Sequence, residues 1–220
     1  QFLVERYVEW GLEREQITVI ENGLDLSLYQ HRAESREKPL KNGCLNLAYF
    51  GQLTPFKGID ILLDALQLLS ADTLTSIKLR IHGANLSIQR DDYKATLSEK
   101  IERLNNVVEL CGRYESEEFS GLVAWADYMV MPSRWWENSP VIIQEARACQ
   151  VPIIVSDIGG MREKVVPGIN GLWFEAGSAV SLAALLEELI VSEGQKGFQI
   201  TTPLSHTDSF LQHLPVYQSK

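Results

Sequence analysis

The chain has 220 residues, 20 of them Lys or Arg and 29 Asp or Glu, for a formal charge of −9. With 45% apolar and 22% charged residues it can bury a sizeable core, which excludes wholesale disorder and leaves one large domain or two small ones. The acidic balance excludes nucleic acid as the main partner, since displacing counterions from a polyanion needs a basic stripe; a local basic pocket for a small phosphate remains compatible.

Residues 2–10 read as a helix stopped by Gly11, residues 17–20 as a strand, and Asn22-Gly23 as a turn. A charge-rich stretch, 31–42, reads as linker or loop. Short β-rich runs then alternate with helical stretches. Residues 45–50 form a strand closed by Gly51, and Ile59, Leu62, Leu63, Leu66 and Leu69 recur at helical spacing. Residues 77–81 form a strand ending at Gly83, 91–104 a polar helix, and 107–110 a strand ending at Gly112. A helix over 117–126, a strand over 128–131 stopped by Pro132, a helix over 141–149 and a buried-looking strand over 151–155 follow. After a loop, 205–217 reads as a helix with Phe210, Leu211 and Leu214 on one face.

Repeated β–α alternation predicts an α/β fold: a Rossmann-like parallel sheet with helices on both faces. Ligands then bind beyond the carboxyl ends of the strands, here Gly51, Gly83, Gly112, Pro132-Ser133 and Ser156-Asp157. Glycine lets backbone approach a ligand closely, and equally serves plain turns.

Three stretches carry candidate chemistry. In Trp135-Trp-Glu-Asn-Ser-Pro140-Val-Ile-Ile-Gln-Glu145, Ser139 reads as an N-cap and Pro140 as the first helical residue. The free N–H groups of Val141, Ile142 and Ile143 would form an anion site bracketed by Glu137 and Glu145, whose carboxylates suit hydroxyls of a sugar or ribose. The same spacing also fits a dipole-favouring acid and a solvated helix glutamate. In Gly51-Gln-Leu-Thr-Pro-Phe-Lys57-Gly58, a lysine at a helix start opposes the dipole and suits a phosphate counter-charge, or is merely solvated. It is neither a Walker A loop nor a G-x-G-x-x-G turn. In Ser156-Asp-Ile-Gly-Gly160-Met-Arg-Glu163, two glycine amides and a third carboxylate face the same cleft, or form a plain glycine turn. Trp135 and Trp136 either wall a sugar pocket or pack in the core.

Three scattered cysteines (Cys44, Cys111, Cys149) fit idle thiols in a reducing compartment rather than a disulfide framework or zinc site. The four histidines are scattered, so no metal or other cofactor is expected, and nucleophile motifs are absent. No window is long and apolar enough to span a bilayer, and no signal-peptide pattern follows Gln1. A cytoplasmic protein, or a fragment of one, is the economical reading.

In combination, these motifs resemble the retaining glycosyltransferases of group one (family four), which have the two-lobed GT-B fold. Ile20-Glu-Asn-Gly-Leu-Asp25 resembles the family's "I-P-N-G-V-D" segment between its acceptor and donor halves, and Tyr49-Phe-Gly-Gln with Lys57-Gly58 resembles its "G-R … K-G" phosphate loop. Glu137 and Glu145 match E-x7-E, Ser156-Asp157 … Gly159-Gly160 … Glu163 resembles "S-D-x-G-G-x-x-E", and Asn170-Gly171-Leu172 resembles "x-G-L-L".

The resemblance implies a metal-independent transferase that moves a sugar from a nucleotide-sugar to a glycan, lipid or protein, as in polysaccharide biosynthesis. By it, Glu137 is the catalytic group, steadying positive charge at the anomeric carbon. Donor-binding residues are Gly51, Gln52, Lys57 on the diphosphate, Gly83, Arg113 toward the base, Asn138, Ser139, Val141, Ile142, Glu145 on the ribose, Gly159, Gly160 and Glu163. Gln52 stands where the family has arginine, and Arg134 is a candidate replacement cation; Glu21 replaces the proline of "P-N-G" as a tolerable loop change. Residues 1–28 would be the tail of an N-terminal acceptor domain and linker, 29–200 the nucleotide-sugar-binding domain, and 201–220 a helix packing back toward that other half. On this reading the 220 residues alone bind nucleotide weakly and transfer little, and a full-length enzyme has room for peripheral membrane association. Two alternatives stay open: an epimerase of similar architecture, and a non-catalytic module binding a nucleotide-sugar or a protein.

Overall fold

The computed structural model describes residues 2–32, 40, 43–193 and 197–218. Its centre is a six-stranded, all-parallel sheet of order β3-β2-β1-β4-β5-β6, formed by β1 (Leu45–Gln52), β2 (Ile77–Ala84), β3 (Val108–Gly112), β4 (Tyr128–Met131), β5 (Ile153–Ser156) and β6 (Gly171–Phe174). β1, β4 and β5 read as nearly unbroken apolar runs because helices cover both faces of the sheet. Alternation along each strand sorts side chains between two cores. Leu45, Leu47, Tyr49, Tyr128, Val130 and Ile154 point to one face, and Ala48, Phe50, Met129, Met131, Ile153 and Val155 to the other.

The first face is covered by α2 (Ile59–Leu68), which packs on α8 (Ala179–Val191) and α4 (Asp91–Arg103). The second is covered by α5 (Phe119–Val123), α6 (Val141–Ala148) and α7 (Gly159–Lys164). The short α3 (Ala71–Thr75) precedes β2, and α1 (Phe2–Glu9) and α9 (His206–Gln218) flank the domain. α8, α3 and the strand character of β6 extend what the sequence predicted, whereas the helix expected over 117–126 contracts to α5.

Residues 17–20 form no strand and pair with no edge among the described residues; the pairing falls instead on Leu24, which bridges in parallel to Ser205. Leu24 N donates to Leu204 O at 2.9 Å and His206 N donates to Leu24 O at 3.0 Å, so the Asn22-Gly23 segment runs extended against the start of α9 rather than turning. Glu21 is more than a tolerated loop change. Its carboxylate accepts from Gln144 Nε2 (2.8 Å) and Lys164 Nζ (2.5 and 2.6 Å), and its carbonyl accepts from Ser209 Oγ (2.7 Å), tying α6, α7 and α9 together. Of the expected linker over 31–42, residues 33–39 and 41–42 lie outside the described residues, and His31 and Arg32 close a 3-10 helix, Leu26–Arg32.

Chain direction from β1 leads leftward to β2 and β3, and from β4 rightward to β5 and β6. The order reverses between β1 and β4, where a parallel sheet leaves a crevice beyond its carboxyl edge.

Candidate functional site

At that edge β1 ends in Gly51-Gln52. Tyr49 Oη donates to Gln52 O at 2.7 Å, and Leu53 N donates to Ala84 O at 2.8 Å, holding the strand ends of β1 and β2 side by side. Pro55 then opens a one-turn 3-10 helix, Pro55–Lys57, its fixed φ suiting a first helical position. Gly58, with φ 68°, links this turn to α2; a Cβ there would stand 1.8 Å from Pro132 O. Only glycine allows the loops after β1 and β4 to approach so closely. Arg134 N (2.9 Å) and the buried Ser133 Oγ (3.0 Å) donate to Phe56 O, so the two loops are stitched together.

The stitching brings Lys57 Nζ within 2.6 Å of Glu137 Oε1, with Ser133 Oγ 3.3 Å from the same oxygen. The side chains are 35% and 16% exposed, so the pair is accessible from the crevice. A hollow of about 440 Å³ opens here, lined by Gln52, Thr54, Phe56, Lys57, Trp135 and Glu137. A second hollow, of about 280 Å³, is lined by Gly51, Gln52, Gly83, Ala84, Asn85, Arg113 and Tyr114. Gln52 belongs to both, dividing a charged compartment from one walled by strand-end backbone.

The loop after Glu137 leads into α6. Its boundary lies one residue later than the sequence suggested: Pro140 is the N-cap, extended at ψ 116°, and Ser139 precedes it with its buried Oγ unpartnered among the described residues. Ile143 N donates to Pro140 O at 3.1 Å, so the N–H groups left for an anion are those of Val141 and Ile142. Gly160 N donates to Glu137 O at 2.7 Å, and a Cβ on Gly160 would lie 2.1 Å from Asn138 O. That amide therefore fastens the Glu137–Asn138 loop to α7 instead of facing the cleft; Gly159 abuts the Trp136 backbone. Glu163 accepts from the Phe2 amide of α1, and Phe2 meets Trp136 edge-on at 5.5 Å.

Glu145, half-buried on α6, accepts from Tyr29 Oη at 2.8 Å. Burial pushes its carboxyl above the ordinary range, and the Tyr29 bond pulls it part of the way back. Glu145 lines neither hollow itself, but its charge reaches Tyr114, whose phenol is pushed up to about 12, chiefly by burial and further by that charge. Arg134 also lies outside both linings, its guanidinium forked onto Asp60 at 2.6 and 2.8 Å. Arg113 is exposed and 3.8 Å from Glu115. Trp135 and Trp136 are 60% and 54% exposed, which removes them from the core. Sequence reasoning missed Tyr29, Tyr114, Thr54 and Phe56. Tyr29 is 116 residues from its partner, beyond any local signal, whereas Thr54 and Phe56 lie inside the stretch that flagged Lys57. Among the described residues no group of His, Cys, Asp and Glu gathers as a metal cluster, and no helix is long and apolar enough to cross a membrane.

A group 1 glycosyl transferase model matches residues 31–197. An uncharacterized glycosyltransferase of Methanocaldococcus jannaschii is 31% identical over 79% of this chain and 48% of its own length. A D-inositol 3-phosphate glycosyltransferase of an Arthrobacter species is 26% identical over 91% of this chain and 48% of its own. The chain thus spans about half the length of these curated relatives. A crystal structure of Anabaena HepE in complex with UDP superposes with a TM-score of 0.77 at 22% identity, covering 99% of this chain and 61% of that one. Strand order and that superposition agree on the fold, and the family match, over most of the chain, identifies it as a member of the group 1 glycosyl transferases.

Proposed function

We propose that this chain is the donor-binding half of a retaining glycosyltransferase that needs no metal, taking a sugar from a nucleotide-sugar and passing it to an acceptor held by a further domain. The observation that carries this reading is the Lys57–Glu137 pair at the strand-order reversal, together with the α6 N–H groups of Val141 and Ile142, which have no partner among the described residues. A diphosphate laid there meets one cation and one helix N-terminus, both favouring negative charge. Glu137 then faces the sugar whose anomeric carbon becomes positive as its bond to phosphate breaks, and a carboxylate close to developing positive charge lowers the barrier. Retention of configuration and independence from metal are carried over from the family pattern of Glu137, Glu145 and Lys57.

The two hollows divide the donor. The compartment of Gly51, Gly83, Arg113 and Tyr114 takes the base, and Glu145, whose charge reaches Tyr114, takes the ribose; the one of Lys57, Glu137 and Trp135 takes diphosphate and sugar. Gln52 at their boundary donates a hydrogen bond without charge, so Lys57 carries the cationic share that the family divides between two side chains. Arg134 is paired with Asp60 and would have to leave that pair to serve as the substitute. Exposed Trp10, Phe210 and Leu211 support a domain packing against α1 and α9 and bearing the acceptor.

Calorimetry of the chain with UDP and with GDP tests the reading. The wild type should bind one of them, and Lys57→Ala should weaken that binding; a wild type that binds neither, or a Lys57→Ala variant that binds unchanged, refutes it.

A further inference from the structure

We propose that Tyr29 is a positioning residue that fixes the Glu145 carboxylate so that one oxygen stays free to accept the ribose hydroxyls of the nucleotide. The inference rests on the donor-site reading above and extends it to a residue outside the motifs. Tyr29 sits in the 3-10 helix Leu26–Arg32, just beyond the Leu24–Ser205 bridge. Two contacts hold it. Ser120 Oγ, from α5, donates to Leu28 O at 2.9 Å, and the Tyr29 ring meets Phe119 edge-on at 6.0 Å. The residue is 5% exposed, and its hydroxyl emerges from the core only to reach Glu145 Oε1 at 2.8 Å.

A glutamate has three side-chain torsions, and ordering them on binding costs affinity unless the protein has ordered them beforehand. Among the described residues no cation pairs with Glu145, so its orientation depends on the Tyr29 bond. With Oε1 occupied by Tyr29, Oε2 remains available to a diol. Burial first, and Glu145 second, push the Tyr29 phenol well above its ordinary range, so it stays a donor throughout the working pH. The titratable groups facing this pair are Tyr114, from the loop after β3, and Cys149, at the end of α6. Burial pushes the Tyr114 phenol up to about 12, so it stays uncharged at working pH, and Glu145 is the carboxyl whose charge changes beside Tyr29. Removing the Tyr29 hydroxyl removes an interaction that favours the carboxylate, so protonation of Glu145 moves to higher pH.

The test is calorimetry of the 220-residue chain with UDP, GDP and their 2′,3′-dideoxy counterparts. The wild type should prefer the ribonucleotide, and Glu145→Ala should erase that preference. Tyr29→Phe, verified as folded by its thermal melt, should lose about 5- to 10-fold for the ribonucleotide and nothing for the dideoxy form. In that variant the pH at which ribonucleotide binding fades should also rise. Equal losses on both ligands would mark Tyr29 as merely structural and overturn the proposal, as would no loss at all. If Glu145→Ala erases the preference while Tyr29→Phe keeps it, this inference alone fails. If the wild type binds neither diphosphate, or Glu145→Ala leaves the preference intact, the donor-site reading fails too. Should Tyr29→Phe not fold, Ser120→Ala, which cuts the anchor at Leu28 and keeps the tyrosine, should give the same selective loss at smaller size; an unselective one overturns the proposal.

Discussion

Glu137 and Glu145 are separated by only seven residues, yet the two ends of this stretch meet opposite surroundings. Glu137 sits in a loop at the crevice, paired with a cation and open to solvent on one side. Glu145 sits on the second turn of α6, half-buried against the second core, paired with a neutral phenol. The first environment pairs a carboxylate with a partly exposed cation for which an incoming anion can compete. The second tolerates a carboxylate only through a hydrogen bond, and leaves it readier to take a proton. One motif thus delivers an exchangeable charge at one end and a rigid acceptor at the other.

Breaking the frame beneath both ends should have the largest effect. Gly160→Ala places a Cβ 2.1 Å from Asn138 O and 2.5 Å from Glu137 O, so the loop or α7 must move. We expect a stability loss of about 1–3 kcal/mol in urea unfolding and loss of measurable nucleotide binding. Binding that survives intact would show that the Glu137 loop need not be fixed by α7.

Next is the cation. Lys57→Ala should weaken diphosphate binding by about 1.5–3 kcal/mol, the range for a charge-assisted hydrogen bond. The loss should shrink at high salt, because the pair is partly exposed and screened. A loss independent of salt would mean that Lys57 acts by shaping the loop and not by its charge.

The sheet and its edge were legible because they depend on local pattern. Apolar runs such as Leu45-Asn-Leu-Ala-Tyr-Phe50 ending in glycine set β1, β2 and β3, and the alternation of strands with helices set the parallel order. The motif residues fell where strand ends must lie. What escaped is long-range: the Tyr29–Glu145 bond, the Arg134–Asp60 fork and the Glu21 hub all join segments distant in sequence, and no periodicity encodes them. α8 escaped for another reason: its apolar residues run around most of the helix, leaving little of the one-sided stripe that marks a surface helix, although Ser178 caps its start. The strand expected over 17–20 had the right composition and no partner edge among the described residues, which only the tertiary arrangement decides.

Glu137→Gln separates the ion pair from the loop that carries it. Neutralising Glu137 releases Lys57 and removes a negative charge beside the diphosphate, so UDP or GDP should bind tighter by about 0.5–1 kcal/mol in calorimetry. Transfer by a full-length enzyme should fall at the same time if Glu137 steadies the anomeric charge. Weaker binding of the bare diphosphate would show that Glu137 holds Lys57 in its working position and does not compete for it.

The smallest effect concerns stability and belongs to the buried end. Unfolding returns the Glu145 carboxyl to its ordinary value near 4.5, whereas burial raises it in the folded chain. Between those two values the folded state holds more protons, so this group's contribution to stability falls as pH rises through the window and stays at its lowest above it. Glu145→Gln keeps an acceptor for Tyr29 Oη and cannot ionise. Its melting temperature should therefore exceed that of the wild type at about pH 7, and the difference should narrow as pH falls toward about 4.5. The same variant should bind the ribonucleotide less well, so stability and affinity move in opposite directions at this one position. If Glu145→Gln gave the same thermal profile across pH as the wild type, the account of the buried turn would be wrong.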